Sequence, residues 1–178
     1  MGRQGEAMAR PEKLRIPYEG PDDCRFDCVG RLQDGTQFMA FVTGAFPTGL
    51  KHYLGEDAQF KKRWLAVLHQ FDSDGNHIDS ESRLGGFDIE GRVVAGAKAF
   101  QQLQDMLSEF AAGRQPALCD IHVRLFSIEI DGITHGLFYE QSEEEPDAES
   151  GMADSDWVML EPLDMMFHPP WDSGEYSS

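Results

Sequence analysis

Six histidines, His52, His69, His77, His122, His135 and His168, are the residues of this chain best suited to proton transfer. An imidazole titrates near pH 6.5, so one held beside a carboxylate or hydroxyl can act as a general acid or base at neutral pH. They are scattered, with no HExxH motif and no pair at helical spacing. His69 and His77 flank one turn signal and could face each other across a hairpin, with Asp79 and Glu81 nearby. An enzyme or small-ligand reading would therefore rest on His69, His77 or His135. The plainer expectation is that all three are ordinary strand histidines, with no catalytic residue assigned.

Metal chemistry has two candidate constellations. Cys24, Cys28, Cys119 and His122 carry the right atoms for zinc, but the spacing is wrong for a knuckle. On a strand, Cys24 and Cys28 would stand about 13 Å apart, so they are expected to be small buried residues with no metal bound. The run Asp72-Ser73-Asp74-Gly75-Asn76, with Asp79, resembles a calcium loop only at a glance. Counted from Asp72, His77 stands where a loop glycine is needed and Arg83 where the bidentate glutamate is needed. A hairpin turn is the expectation. No GxSxG elbow, Walker loop or GxGxxG is present, and no cofactor is expected.

Charge is the more informative feature. The formal net charge is −17 over 178 residues. After Gln141 come Glu143, Glu144, Glu145, Asp147, Glu149, Asp154, Asp156, Glu161, Asp164, Asp172 and Glu175, with no Lys or Arg. The remaining 21 acids against 15 basic residues carry only −6. Such a segment is solubilising by default. It also contains Trp157, Met159, Leu160, Leu163, Met165, Met166, Phe167 and Trp171, which solubilising tails seldom carry. These either fold back on the domain, as expected for Trp157–Leu160, or form adaptable contact surface.

The acidity excludes nucleic acid and anionic membrane surfaces as partners and leaves a basic protein as the partner it suits. No stretch approaches the roughly 20 apolar residues of a membrane span. The N-terminal stretch lacks the apolar centre of a secretory signal, and the three cysteines make no disulfide framework. A cytoplasmic location is expected.

The elements that must position these residues are mostly strands. Residues 1–21 read as a loosely ordered lead-in, and 22–178 as one domain with an acidic loop near 142–156 and an irregular tail. Cys24–Leu32 and Thr36–Thr43 alternate around Gln33-Asp34-Gly35; Lys61–Phe71 and His77–Leu84 alternate around Ser73–Asn76; Cys119–Ile130 and Ile133–Gln141 flank Asp131-Gly132, a strong hairpin signal. Thr36–Thr43 carries bulk on both faces, as a strand covered on both sides or at an interface would. His77–Leu84 is polar enough for a sheet edge.

Val93–Ala112 is the one convincing helix. Val93, Gly96 or Ala97, Phe100, Leu103, Leu107, Phe110 and Ala111 form its apolar stripe, and Lys98, Gln102, Asp105 and Glu109 its wet face. Gly113 and Pro116 stop it. The expected fold is α+β, a largely antiparallel sheet built from three hairpins and covered by one long amphipathic helix. The expected function is a non-enzymatic acidic binding protein that docks a basic protein, an inhibitor or immunity-type protein being one concrete version. Its contacts would be Glu143, Glu144, Glu145, Asp147, Glu149, Asp154, Asp156, Trp157 and Trp171. The alternatives are a ligand binder or enzyme with a pocket between helix and sheet, and a component of an assembly or homo-oligomer contacting through Thr36–Thr43.

Overall fold

Bulk on both faces of one strand requires two covers, and the chain supplies both. A computed structural model describes residues 10–18, 28–50, 55–141 and 156–177. Strands β2 (Cys28–Arg31), β3 (Gln37–Ala45), β4 (Arg63–Phe71) and β5 (His77–Phe87) pair antiparallel, and β6 (Ala117–Leu118) adds to β2. The order in this first sheet is β5-β4-β3-β2-β6. One face of β3 and β4 presents Phe38, Ala40, Ala66 and Leu68 to Leu103 and Met106 of helix α2 (Arg92–Ala111). The other presents Met39, Phe41, Leu65, Val67 and Phe71 to Leu137, Val158, Leu160, Met165 and Phe167.

Those last residues belong to a second antiparallel sheet. It is formed by β8 (Ser127–Ile130), β9 (Ile133–Glu140), β10 (Trp157–Glu161), β11 (Met165–Phe167) and β12 (Tyr176–Ser177), in the order β12-β11-β10-β9-β8. A third, two-stranded sheet joins β1 (Leu14–Ile16) to β7 (Ile121–Val123) and buries Leu14, Ile16, Ile121 and Val123 in the inter-sheet core. A four-residue helix α1 (Ala58–Lys61) precedes β4. The chain is thus α+β with antiparallel sheets. There are three sheets where the sequence suggested one, and β3 is covered on both faces from within the chain.

Four local expectations change. Leu14–Ile16, placed in a loose lead-in, is a buried strand: three residues between Lys13 and Pro17 are too short to show a period. Cys119–Ile130 is not one strand; it holds β7 and β8, which lie in two different sheets. The tail expected to be irregular supplies β11 and β12, and Met165 and Phe167 are fully buried. The strand expected to end at Leu84 runs on through Gly85 and Gly86, as β5 extends to Phe87.

The helix has the expected extent but a rotated face. Its buried residues are Ala95, Ala99, Leu103 and Met106, whereas Val93 is 84% and Phe100 47% exposed. Gln102, assigned to the wet face, is half-buried. Glycine explains the rotation. A Cβ on Gly85 would lie 2.4 Å from the Ala99 amide nitrogen and 2.6 Å from its Cα, so helix and strand backbones touch. At that separation the first turns can bury only alanine, and the larger side chains turn outward.

Urea denaturation checks this contact. Gly85→Val should destabilise by about 1–3 kcal/mol through overpacking, and Leu103→Ala by about 2–5 kcal/mol through the cavity it leaves. Phe100→Ala should cost under about 1 kcal/mol, as suits a half-exposed ring. Equal losses from Phe100→Ala and Leu103→Ala would mean that Phe100 is in the core.

Candidate functional site

Two features of the sandwich could carry function, and the first is a cluster of three histidines. His69 lies on the inner face of β4. The β4–β5 register pairs it with Ser80, then skips Ile78 so that His77 pairs with Phe71. That bulge puts His77 and Ser80 on one face although they are three residues apart. The turn expected at Asp72–Asn76 is present. The Asp72 carboxylate accepts the amides of Asp74 at 3.0 Å and Asn76 at 2.9 Å, which uses it for turn geometry. Those bonds hold the Asp72 pKa below the usual carboxylate value, the side-chain bond from Asn76 contributing most.

His135 reaches the cluster from β9 of the opposing sheet. Its ring centroid lies 5.8 Å from that of His69, and the His69 and His77 centroids are 6.4 Å apart. Phe126 fills the space between them, stacked on His77 at 4.6 Å and edge-on to His69 at 4.9 Å. Gly136 lets this segment approach, because a Cβ there would stand 2.2 Å from the Phe126 carbonyl oxygen, which accepts the Leu137 amide. The Ser80 hydroxyl is 2.6 Å from both His69 Nδ1 and His77 Nε2. It donates its one proton to one imidazole and accepts the N–H of the other.

All three rings are held neutral at pH 7. Burial pushes the His69 pKa well below the ordinary histidine value, with His135 and His77 adding to the effect. Burial alone lowers His135 to about 4. Burial also lowers His77, against the opposing pull of Asp79. Among the described residues, the buried side-chain polar atoms without a hydrogen-bond partner are His69 Nε2 and both ring nitrogens of His135. Each such group costs about 1–3 kcal/mol, so the cluster is not explained by packing alone. Among the described residues no group of three or more His, Cys, Asp or Glu is placed to hold a metal ion, this cluster included. Cys119 is a free thiol, Cys28 is half-buried on β2, and His122 is exposed on β7.

The second feature is a cleft of about 950 Å³. Its walls are the loop 46–49, Ala58 of α1 and Lys62 just after it, residues of β9, and the turn after β10. The loop is tied to the second sheet, with the Thr48 amide donating to the Gly132 carbonyl at 2.7 Å and the Thr48 and Thr134 hydroxyls 2.7 Å apart. Apolar surface comes from Ala45, Phe46, Pro47, Ile133, Phe138 and Pro162. Among the described residues, the charged lining is Asp88, Glu140, Glu161 and Asp164 against Lys62. Asp88 accepts the Trp64 indole N–H at 2.9 Å, and Lys62 sits 5.1 Å over the Trp64 ring. The cleft therefore suits an apolar group carrying positive charge.

No family model matches the chain, and neither a curated protein nor a solved structure matches it. The site stands on its own geometry.

Of the contact residues expected from sequence, Glu143, Glu144, Glu145, Asp147, Glu149 and Asp154 lie outside the described residues, as does Cys24. Asp156 is buried and accepts the Tyr139 hydroxyl. Trp157 opens β10 half-buried, its indole N–H donating to Glu140 at 2.7 Å at the rim of the cleft. Trp171 packs on the core 6.2 Å from the Tyr139 ring, and its carbonyl accepts the Arg15 amide at 3.0 Å. The sequence pointed to His69, His77 and His135 but not to their meeting. It missed Ser80, which only the bulge identifies, and the cleft, whose walls come from five separate stretches. The cleft is also not between helix and sheet, since no residue of α2 lines it.

The histidines set a pH dependence. Their folded pKa values lie below the unfolded value of about 6.5, so below that pH the unfolded chain binds more protons. Stability is fully present above pH 6.5 and falls as the pH drops toward 4. For His135, the shift from 6.5 to about 4 corresponds to a loss on the order of 3 kcal/mol. Urea midpoints measured across this range should fall steeply in the wild type and less steeply in His135→Leu. Parallel curves would show that His135 is not excluded from protonation in the fold.

Proposed function

We propose that this chain is a non-enzymatic binding protein that docks a basic protein partner in the cytoplasm, an inhibitor or immunity-type protein being one concrete form. The observation that carries the reading is the cleft, where four carboxylates and one ammonium line an apolar floor. A basic residue beside an aliphatic or aromatic one meets both parts of that surface. The segment 142–155, with six acids and no basic residue, connects Gln141 to Asp156 in the chain. Glu140 and Trp157, at those two points, are paired in the sheet beside the cleft. A negative field there steers a basic protein and raises its association rate, while the apolar floor holds it after contact.

The cleft volume also lies in the range of small-molecule sites. That favours a cationic amphiphile as the second reading, for the same reason of charge. Against the described part of the chain, membrane insertion has no support, because no helix there is long and apolar enough to cross.

Fluorescence anisotropy with labelled octapeptides tests the proposal. Alternating Phe-Lys should bind in low salt, and its affinity should fall about tenfold or more by 0.5 M salt as the charges are screened. Alternating Phe-Glu should not bind. The double variant Glu161→Gln/Asp164→Asn should weaken Phe-Lys binding by about fivefold, close to 1 kcal/mol. Equal binding of both peptides, or an unchanged affinity in the variant, would remove the cleft as the docking site.

A further inference from the structure

We propose that His69, His77 and His135 form a proton-operated latch between the two sheets, closed while all three imidazoles are neutral and released on acidification. The inference concerns the fold itself and does not depend on what occupies the cleft.

The geometry carries it in three steps. First, the cluster spans the sandwich: His69 and His77 come from the first sheet and His135 from the second. The 5.8 Å approach of His135 to His69, and the Phe126 ring set against both His69 and His77, are contacts across that interface. Second, among the described residues nothing facing the cluster can hold more than one charge. From β5 come His77, Ser80 and Asp79, and only Asp79 is anionic, acting on His77. From β4 comes His69, from β9 His135, from β3 the Phe41 ring, and from the segment before β8 the Phe126 ring. His69 Nε2 and both nitrogens of His135 face no acceptor. A proton on His135 or His69 is therefore unpaired, and two protons repel across less than 6 Å between centroids. Burying an imidazolium so costs far more than exposing it, and the way to expose it is to part the sheets.

Third, the sheets have a place to part. A cavity of about 300 Å³ lies between β4–β5 and the β8–β9 turn, lined by Leu65, Ser82, Ile130 and Ile133 among others. β5 and β8 are the edge strands of their sheets, so among the described residues no further strand closes that side. β9 carries both functions along its length. His135 faces the cluster, and the neighbouring Thr134, with Phe138 and Glu140, lines the large cleft. Release of β9 at the latch thus deforms the cleft wall, and acidification couples to whatever the cleft holds.

The experiment is hydrogen–deuterium exchange of the full chain at about pH 7 and about pH 5, corrected for intrinsic rates, on wild type, His135→Leu and, as a control, His122→Gln. On acidification the wild type and His122→Gln should lose protection in β9 and β10 by about tenfold or more while α2 and β3 keep theirs. His135→Leu should retain β9 protection. Loss spread evenly over α2, β3 and β9 in the wild type, or a loss in β9 that His135→Leu does not reduce, overturns the latch. Should His135→Leu fail to fold, nitrogen-15 spectra of labelled histidine in the wild type decide instead. Protonation of His69 and His135 over the same pH interval as β9 deprotection supports the latch, and rings that stay neutral while β9 opens overturn it.

Discussion

Phe38, Ala40, Ala66 and Leu68 on one face of β3 and β4, and Met39, Phe41, Val67 and Phe71 on the other, leave the central sheet with no wet side. Each large side chain gains about 1.5–3 kcal/mol by burial, so both faces must be covered. Helix α2 covers one. The other is covered by a sheet whose last three strands lie beyond residue 156, after the most acidic stretch of the chain. The acidic segment is therefore not the beginning of a tail. It is a connection between two strands of the second sheet, β9 and β10, and the residues after it are needed to close the core. Gln37, buried on β3, braces the same sheet: its amide donates to the carbonyls of Asp72 and His122 at 3.0 Å and accepts the His122 N–H at 2.9 Å.

The two covers differ in chemistry. The α2 side is aliphatic and aromatic, drawn tight at Gly85 and Ala99. The inter-sheet side contains neutral imidazoles with unpartnered nitrogens and a cavity at its edge, so it is the less firmly closed of the two. The acid-lined cleft adjoins the less firm side. A binding surface built there can respond to conditions, whereas one built on the α2 face could not do so without loss of the close Gly85–Ala99 packing.

Much of the first sheet was legible in the sequence. Alternation and turn residues placed β3, β4 and β5, and β9 of the second sheet, and the two-sided bulk of Thr36–Thr43 announced a covered strand. Failure came where size misleads or contact is remote. Bulky Val93 and Phe100 looked like core, and only the backbone contact at Gly85 reverses them in favour of Ala95 and Ala99. Leu14–Ile16 is too short to show a period, and Met165–Phe167 is three consecutive apolar residues with none. His69 and His77 could be set across a hairpin by counting, but His135 joins them through the pairing of whole sheets, which no local pattern encodes. The cleft was illegible for the same reason, its carboxylates being distributed over Asp88, Glu140, Glu161 and Asp164.

The face-to-face contact of the two sheets through neutral imidazoles underlies the sandwich, the latch and the cleft wall together. A nuclear Overhauser spectrum of the full chain at pH 7.5, with histidine and phenylalanine rings selectively labelled, reads that contact directly. Cross-peaks are expected between the His69 and His135 rings and between His77 and Phe126, from centroids 5.8 and 4.6 Å apart, on imidazoles with the nitrogen shifts of the neutral form. Rings of His69 and His135 with no cross-peak between them, or with imidazolium shifts at that pH, would contradict the account.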